Sequence, residues 1–159
     1  MNRTEGVVLK GTGGIWHVRT EAGVTREASL RGRLKQEKEE SKKLAVGDRV
    51  VLETDAGETH WAISEILPRH SQLSRRAPGA GQGERIVAAN VDQVIVVFAA
   101  AKPDPHRRML DRFLVIAERN SLQSRIVINK IELVDKDATE AAFSDYSAAG
   151  YAVHLTSVK

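Results

Sequence analysis

No cysteine occurs among the 159 residues. That excludes a disulfide framework, a thiol nucleophile and a Cys-based zinc site within the chain, and it suits a reducing compartment. Long apolar runs are missing too. The longest, Val94 to Ala101, falls far short of the roughly 20 residues that cross a bilayer. At the start, Asn2, Arg3, Thr4 and Glu5 lead straight into a strand-like run, without the apolar segment of a secretory signal. A cytoplasmic protein with no membrane partner is therefore expected. A strong excess of one charge is also lacking, with 24 Lys and Arg against 21 Asp and Glu, a net charge of +3.

What is present is ordinary globular composition, 42% hydrophobic and 28% charged, which argues against a disordered or fibrous chain. The small basic excess is unevenly spread. Residues 1–90 carry 15 basic and 12 acidic side chains, and residues 91–159 carry 9 of each. A basic half beside a neutral one points to two modules, the first able to meet a polyanion. A solvated surface explains so small an excess equally well.

Residues 1–67 read as short strands. Gly6 to Lys10 and Ile15 to Thr20 flank Gly11-Thr12-Gly13-Gly14, which can supply positive φ in a hairpin loop. Further strands are expected over Val24 to Leu30, Arg49 to Thr54 and Thr59 to Leu67, the last two joined by a turn at Asp55-Ala56-Gly57. Between the third and fourth, Arg33 to Lys43 is dense in Lys and Glu, a mobile loop or a frayed helix. Five strands with an insertion after the third fit an OB-fold β-barrel, with an SH3-like barrel as the rival. Residues 68–89, with Pro78, Gly79, Gly81 and Gly83, read as a linker.

From Asn90 the pattern changes. Val91 to Ala99 is a near-continuous apolar strand, as expected where helices cover both faces of a sheet. Asp104-Pro105 can start a helix with Met109, Leu110, Phe113, Leu114 and Ala117 on one face. A strand over Arg125 to Ile128 follows, then a helix from about Asp137 to Ala149 with Ala138, Ala141, Ala142 and Tyr146 inward and Gly150 closing it. Val153 to Thr156 begins a third strand. Alternating strands and helices give an α/β parallel sheet with right-handed crossovers, here only three strands wide.

Functional residues of such sheets gather at the carboxyl ends of strands. The second strand ends in Asn129-Lys130-Ile131-Glu132. A carboxylate there can accept from N1–H and the exocyclic amine of guanine, the Asn amide can meet the O6/N7 edge, and the Lys stem can lie along the base. Adenine offers neither donor in that arrangement. Taken alone, so short a motif recurs by chance, and a polar turn is the plain alternative. The next strand ends in Thr156-Ser157-Val158-Lys159, whose Ser-small-Lys turn can present a backbone N–H to O6. Two such pieces on successive strand ends, in this order, point to guanine much more strongly than either does.

These residues resemble the N-terminal part of the RsgA family of circularly permuted, ribosome small-subunit-dependent GTPases. The likeness includes Val46-Gly47-Asp48-Arg49-Val50, Leu67-Pro68-Arg69-His70-Ser71 and Leu73-Ser74-Arg75. It is strongest from Asn90-Val91-Asp92-Gln93-Val94 through Leu110-Asp111-Arg112-Phe113-Leu114 to Asn129-Lys130-Ile131-Glu132-Leu133. The resemblance implies an OB barrel and a P-loop GTPase-like domain whose guanine motifs precede its phosphate loop, followed by a small zinc domain. It implies GTP/GDP as ligand, with Mg and Zn expected only in a full-length protein. The expected partner is the small ribosomal subunit with its rRNA, met in late maturation by a protein that is monomeric when full length.

Two departures stand out. Glu132 replaces the family's usual Asp, moving the carboxylate by about one bond length. No Gly is followed by Lys and no D-x-x-G occurs, so the elements that cradle phosphates and place the attacking water are absent from this chain. A truncated representative without catalytic residues, and without turnover by itself, is expected.

OB barrels bind RNA through strands two and three and the neighbouring loops. Phosphate contacts are expected from Arg19, Arg26, Arg31, Arg33 and Lys35, with a solvated strand face as the alternative, and from Arg69, Arg75 and Arg76 beyond the barrel. Trp16, beside Val18, is read as core in preference to a stacking surface. The five histidines show no metal-ligand spacing, and His154 reads as a core residue. Two functional classes remain: a fragment of a ribosome-associated GTPase, or a non-enzymatic RNA-binding module whose α/β half is only a scaffold.

Overall fold

The computed structural model of the protein describes residues 2–36, 43–55, 60–76 and 84–158. They divide into two compact units, Met1–Val91 and Asp92–Lys159. Lys159 and the side chain of Arg76 lie outside the described residues, as does most of the expected turn at residues 55–57.

The first unit is a closed five-stranded barrel. Its strands are β1 (Asn2–Thr12), β2 (Ile15–Thr20), β3 (Thr25–Leu30), β4 (Arg49–Thr54) and β5 (Trp61–Ile66), hydrogen-bonded in the order β1-β2-β3-β5-β4. β1 closes the ring because it is long enough to serve two neighbours. Asn2 to Val7 pair with β4, and Gly6 to Thr12 pair with β2. Where the partners overlap, a Cβ on Gly6 would lie 2.7 Å from the Arg19 carbonyl oxygen and from Val18, so only bare backbone fits the crossing. Alternation places Val8, Val18, Ala28, Val50, Leu52 and Ile63 inside. β3 pairs with β5 in parallel while the other barrel pairs are antiparallel. This connectivity is that of the OB fold rather than an SH3-like barrel. The insertion after β3 opens with one helical turn, α1 (Gly32–Lys35).

The segment expected to be a linker holds an antiparallel hairpin, β6 (Gln72–Arg76) with β7 (Glu84–Ala89). An isolated two-stranded hairpin is marginal in water, and this one is fastened to the barrel. Asp48 is completely buried and accepts from the Ala45 amide at 2.8 Å. It also accepts from Arg69 Nε at 2.7 Å and Nη2 at 2.8 Å. The Ala89 amide donates to the Val46 carbonyl, and Asn90 Nδ2 donates to the Gly47 carbonyl. Gly47 has φ +88, and a Cβ there would come within 2.1 Å of the Ala89 carbonyl oxygen. These contacts join residues far apart in sequence, which is why a local reading of residues 68–89 finds no strand.

The second unit alternates β8 (Gln93–Ala99), α2 (Arg107–Arg119), β9 (Gln123–Asn129), α3 (Lys136–Ala148) and β10 (Ala152–Leu155). The sheet is parallel, in the order β10-β9-β8. Right-handed crossovers stepping steadily in one direction put successive helices on the same side. Both helices accordingly share one core, formed by Val96, Ile126 and Ile128 from the sheet, Leu110 and Leu114 from α2, and Phe143 and Tyr146 from α3.

Three details correct the sequence reading. The apolar strand β8 is covered on one face only, with Ile95 54% and Val97 60% exposed. On α3 the inward stripe is Thr139, Phe143 and Tyr146, while Ala138, Ala141 and Ala142 face solvent. Burying the aromatic rings removes far more apolar area from water than burying the alanines would. On α2, Leu110, Leu114 and Ala117 are buried, whereas Met109 and Phe113 stay about half exposed. Asp135 caps α3, its side chain accepting from the Ala138 amide at 2.8 Å.

Candidate functional site

The carboxyl ends of β9 and β10 form one constellation. β9 stops at Asn129, and Lys130 turns the chain with φ 64 and ψ 36, the left-handed region, into a short 3-10 turn over Ile131–Leu133. A non-glycine residue there is strained by about 1–2 kcal/mol. The turn is held in place by neighbours. Asn129 opposite Ala99 passes its carbonyl to the Ala100 amide at 2.7 Å, and the Ile131 amide donates to the Thr156 carbonyl.

The side chains then join the two strand ends. Thr156 Oγ1 donates to Asn129 Oδ1 at 3.2 Å, and Ser157 Oγ donates to Glu132 Oε2 at 2.7 Å. With its oxygen engaged, the Asn129 amide has its NH2 end left to meet an acceptor. Lys130 Nζ donates to the Lys102 carbonyl at 2.8 Å, so the Lys stem crosses toward the loop after β8. Val158 follows, 84% exposed. Asn129, Lys130, Glu132 and Ser157, drawn from segments 25 or more residues apart, are thus linked directly or through one neighbour. Sequence reading named these residues but not Lys102, whose contribution is a backbone carbonyl and leaves no trace in side-chain chemistry.

The basic residues proposed for RNA are less uniformly placed. Arg19 is exposed on the outer face of β2. Arg26 pairs in register with the buried Val18 and so sits on the other face of the wall, its guanidinium 5.7 Å from the centre of the Trp61 ring. Arg31 is ion-paired with Glu53 at 2.7 Å. Arg33 and Lys35 are exposed on α1. Arg69 is different: its side chain is only 13% exposed and its guanidinium is committed to Asp48 and the Lys43 carbonyl. Arg75 is exposed and stands directly across the hairpin from Arg85. Trp16 packs against the barrel core, as its sequence context suggested.

Elsewhere, Tyr146 donates to Asp111 at 2.6 Å, and Arg107 lies 5.3 Å over its ring while pairing with Asp145. The Tyr146 hydroxyl is pushed above the ordinary tyrosine range, first by burial and next by its bond to Asp111. Asp111 is therefore a structural partner between α2 and α3. His154 is exposed beside Arg125, not a core residue, because it falls on the uncovered face of the sheet.

Comparison with known proteins places the chain in a family. The family model described as RsgA N-terminal domain matches residues 5–61, and that described as RsgA GTPase matches residues 66–159. A small ribosomal subunit biogenesis GTPase RsgA from Gemmatimonas aurantiaca is 61% identical over 156 residues, covering 98% of this chain and 51% of that protein. Its namesake from Bacillus cereus is 38% identical over 157 residues, covering 97% and 48%. Among solved structures, YjeQ from Thermotoga maritima superposes with a TM-score of 0.73 at 30% identity, covering 98% of this chain and 52% of that one. YloQ, a circularly permuted GTPase, does so with 0.70 at 31%, covering the same shares. The chain spans about half the length of the curated relatives it matches.

Proposed function

The chain belongs to the RsgA family, and from that premise we propose that it supplies the RNA-docking barrel and the guanine-reading half of a GTPase acting in biogenesis of the small ribosomal subunit. The observation that carries the guanine reading is the Ser157–Glu132 hydrogen bond, which orients the carboxylate at the joined ends of β9 and β10. Glu132 accepts from N1–H and the exocyclic amine of the base. The Asn129 NH2 meets its N7/O6 edge, the backbone N–H at Val158 meets O6, and the Lys130 stem lies along the ring. Lys159 extends the same turn, outside the described residues. Adenine offers the carboxylate neither of those two donors, so the paired hydrogen bonds that favour guanine are lost.

Phosphate binding and hydrolysis fall to segments this chain does not contain. Among the described residues no group of three or more His, Asp or Glu is placed to hold a metal ion. The chain alone is accordingly proposed to turn over no GTP.

For RNA, the reading rests on Arg19, Arg26, Arg33, Lys35 and Arg75, with Arg31 and Arg76 as further contacts. Arg69 contributes by holding the hairpin. The cross-strand pair Arg75–Arg85 supports it: like charges directly opposed are unfavourable, and a bridging phosphate relieves them.

The test is calorimetric titration with GDP and with ADP, on this chain and on one extended through a Gly-rich phosphate loop. The short chain should bind weakly. Preference of the extended chain for GDP upholds the guanine assignment; equal affinity for both nucleotides removes it.

A further inference from the structure

The two units each hold a cation over an aromatic ring, and the two pairs differ in what surrounds the cation. Arg107 over Tyr146 is ion-paired with Asp145, and the Tyr146 hydroxyl is bound to Asp111. That cation is neutralised and its ring is locked between two helices. Arg26 over Trp61 has no carboxylate or hydrogen-bond partner among the described residues.

The surroundings of Trp61 fix this arrangement. Trp61 is paired in register with Ala28, two residues beyond Arg26 on the same face of β3, so the two side chains are diagonal neighbours across the parallel pair. The indole is half-buried and packs against the barrel core, whereas Arg26 is exposed. The acidic neighbour in sequence, Glu27, points to the opposite face of the wall and lies 3.8 Å from His17. The result is a planar cation ordered on an aromatic ring, anchored from beneath by a hydrophobic core and, among the described residues, uncompensated in charge. Flat aromatic ligands with a phosphate attached match both properties, because bases stack on arginine planes and aromatic rings while the charge attracts the backbone. An acidic peptide would use the charge and leave the aromatic plane idle.

We propose that Arg26 and Trp61 form a stacking platform for an unpaired base of single-stranded RNA, one base wide, on the barrel wall. This rests on the reading of the barrel as an RNA-docking module and goes beyond it, since it assigns Arg26 to base stacking instead of phosphate contact alone and brings in Trp61.

The protein has two tryptophans, so in a Trp16→Phe chain the fluorescence reports Trp61. That chain is titrated with a short oligouridylate and with inorganic polyphosphate of matched charge. Binding is measured in parallel by anisotropy of labelled oligouridylate on the unsubstituted chain, on Arg26→Lys and on Trp61→Phe. Quenching by oligouridylate and not by polyphosphate is expected. Arg26→Lys, which keeps the charge and loses the plane, should weaken oligouridylate binding about tenfold with the salt dependence unchanged.

Unaltered affinity of Arg26→Lys together with unquenched Trp61 overturns the platform while leaving RNA docking standing. Failure of the unsubstituted chain to bind oligouridylate overturns both. Quenching by an acidic peptide in place of RNA assigns the surface to a protein partner and overturns the platform as well.

Discussion

In the first unit every barrel strand has a hydrogen-bonded neighbour on each side, because β1 meets both β2 and β4. In the second, among the described residues, β8 and β10 are bonded on one side only, and one sheet face is bare. That face carries Ile95 and Val97 beside Val127, Arg125 and His154 in register. Closure lets about sixty residues satisfy their own backbone and hide their own core. A parallel sheet of three strands cannot close, so its stability depends on further chain or a partner to cover what it exposes.

The sharpest way to break this comparison is hydrogen exchange on the intact chain. Amides of β8, β9 and β10 should lose all protection under denaturant conditions where those of β1 to β5 keep theirs. One cooperative transition shared by both units would erase the distinction. A chain extended beyond residue 159 should raise the protection of the second unit toward that of the first.

Next in size is the buried pair of the first unit. Asp48→Ala takes the carboxylate away from Arg69 in a site where the two side chains are 0% and 13% exposed. It should lower the stability of that unit by about 3–5 kcal/mol in urea titration, with the hairpin amides exchanging first. A loss below about 1 kcal/mol would show that the barrel holds the hairpin without it.

A smaller effect belongs to the second unit. Tyr146→Phe removes the bond to Asp111 and should cost about 1 kcal/mol. Because the Tyr146 hydroxyl titrates higher in the fold than in the open chain, it favours folding fully below about pH 10. That contribution is lost as pH rises through the raised value. The unsubstituted unit should therefore weaken under alkaline conditions more steeply than Tyr146→Phe. Tyr151, raised chiefly by its bond to Glu118, should act in the same direction. Identical pH profiles would remove the assignment.

The smallest change expected is at the proposed guanine site. In a chain carrying a phosphate loop, Glu132→Asp should shift GDP affinity by less than about tenfold, since Ser157 can follow the shorter side chain. Reversal of the GDP over ADP preference would show that the side-chain length itself sets the base.

Much of this was legible in the residues. The five barrel strands follow from alternation and turn chemistry, with Gly13 and Gly14 adopting the positive φ that their position suggested. The helix over Lys136–Ala148 and its end before Gly150 were equally plain. What escaped was whatever depends on a neighbour distant in sequence. The hairpin Gln72–Arg76 with Glu84–Ala89 went unseen because its hold on Val46, Gly47 and Asp48 is tertiary. The alanine stripe of α3 misled because period alone does not say which of two apolar faces gains more from burial. His154 was placed in a core that covers only one side of its strand.

By itself the sequence determined the order of the barrel strands and of the strands and helices after Asn90, the absence of thiol chemistry, and the two strand-end motifs, because these depend on residue type and local spacing. Only the tertiary structure decided that Arg69 is spent on Asp48 while Arg26 stands over Trp61, and that Ser157 reaches Glu132. The pairing of a charge is a property of three-dimensional distance: an arginine reads the same in a sequence whether a buried carboxylate, an indole ring or open water lies opposite it.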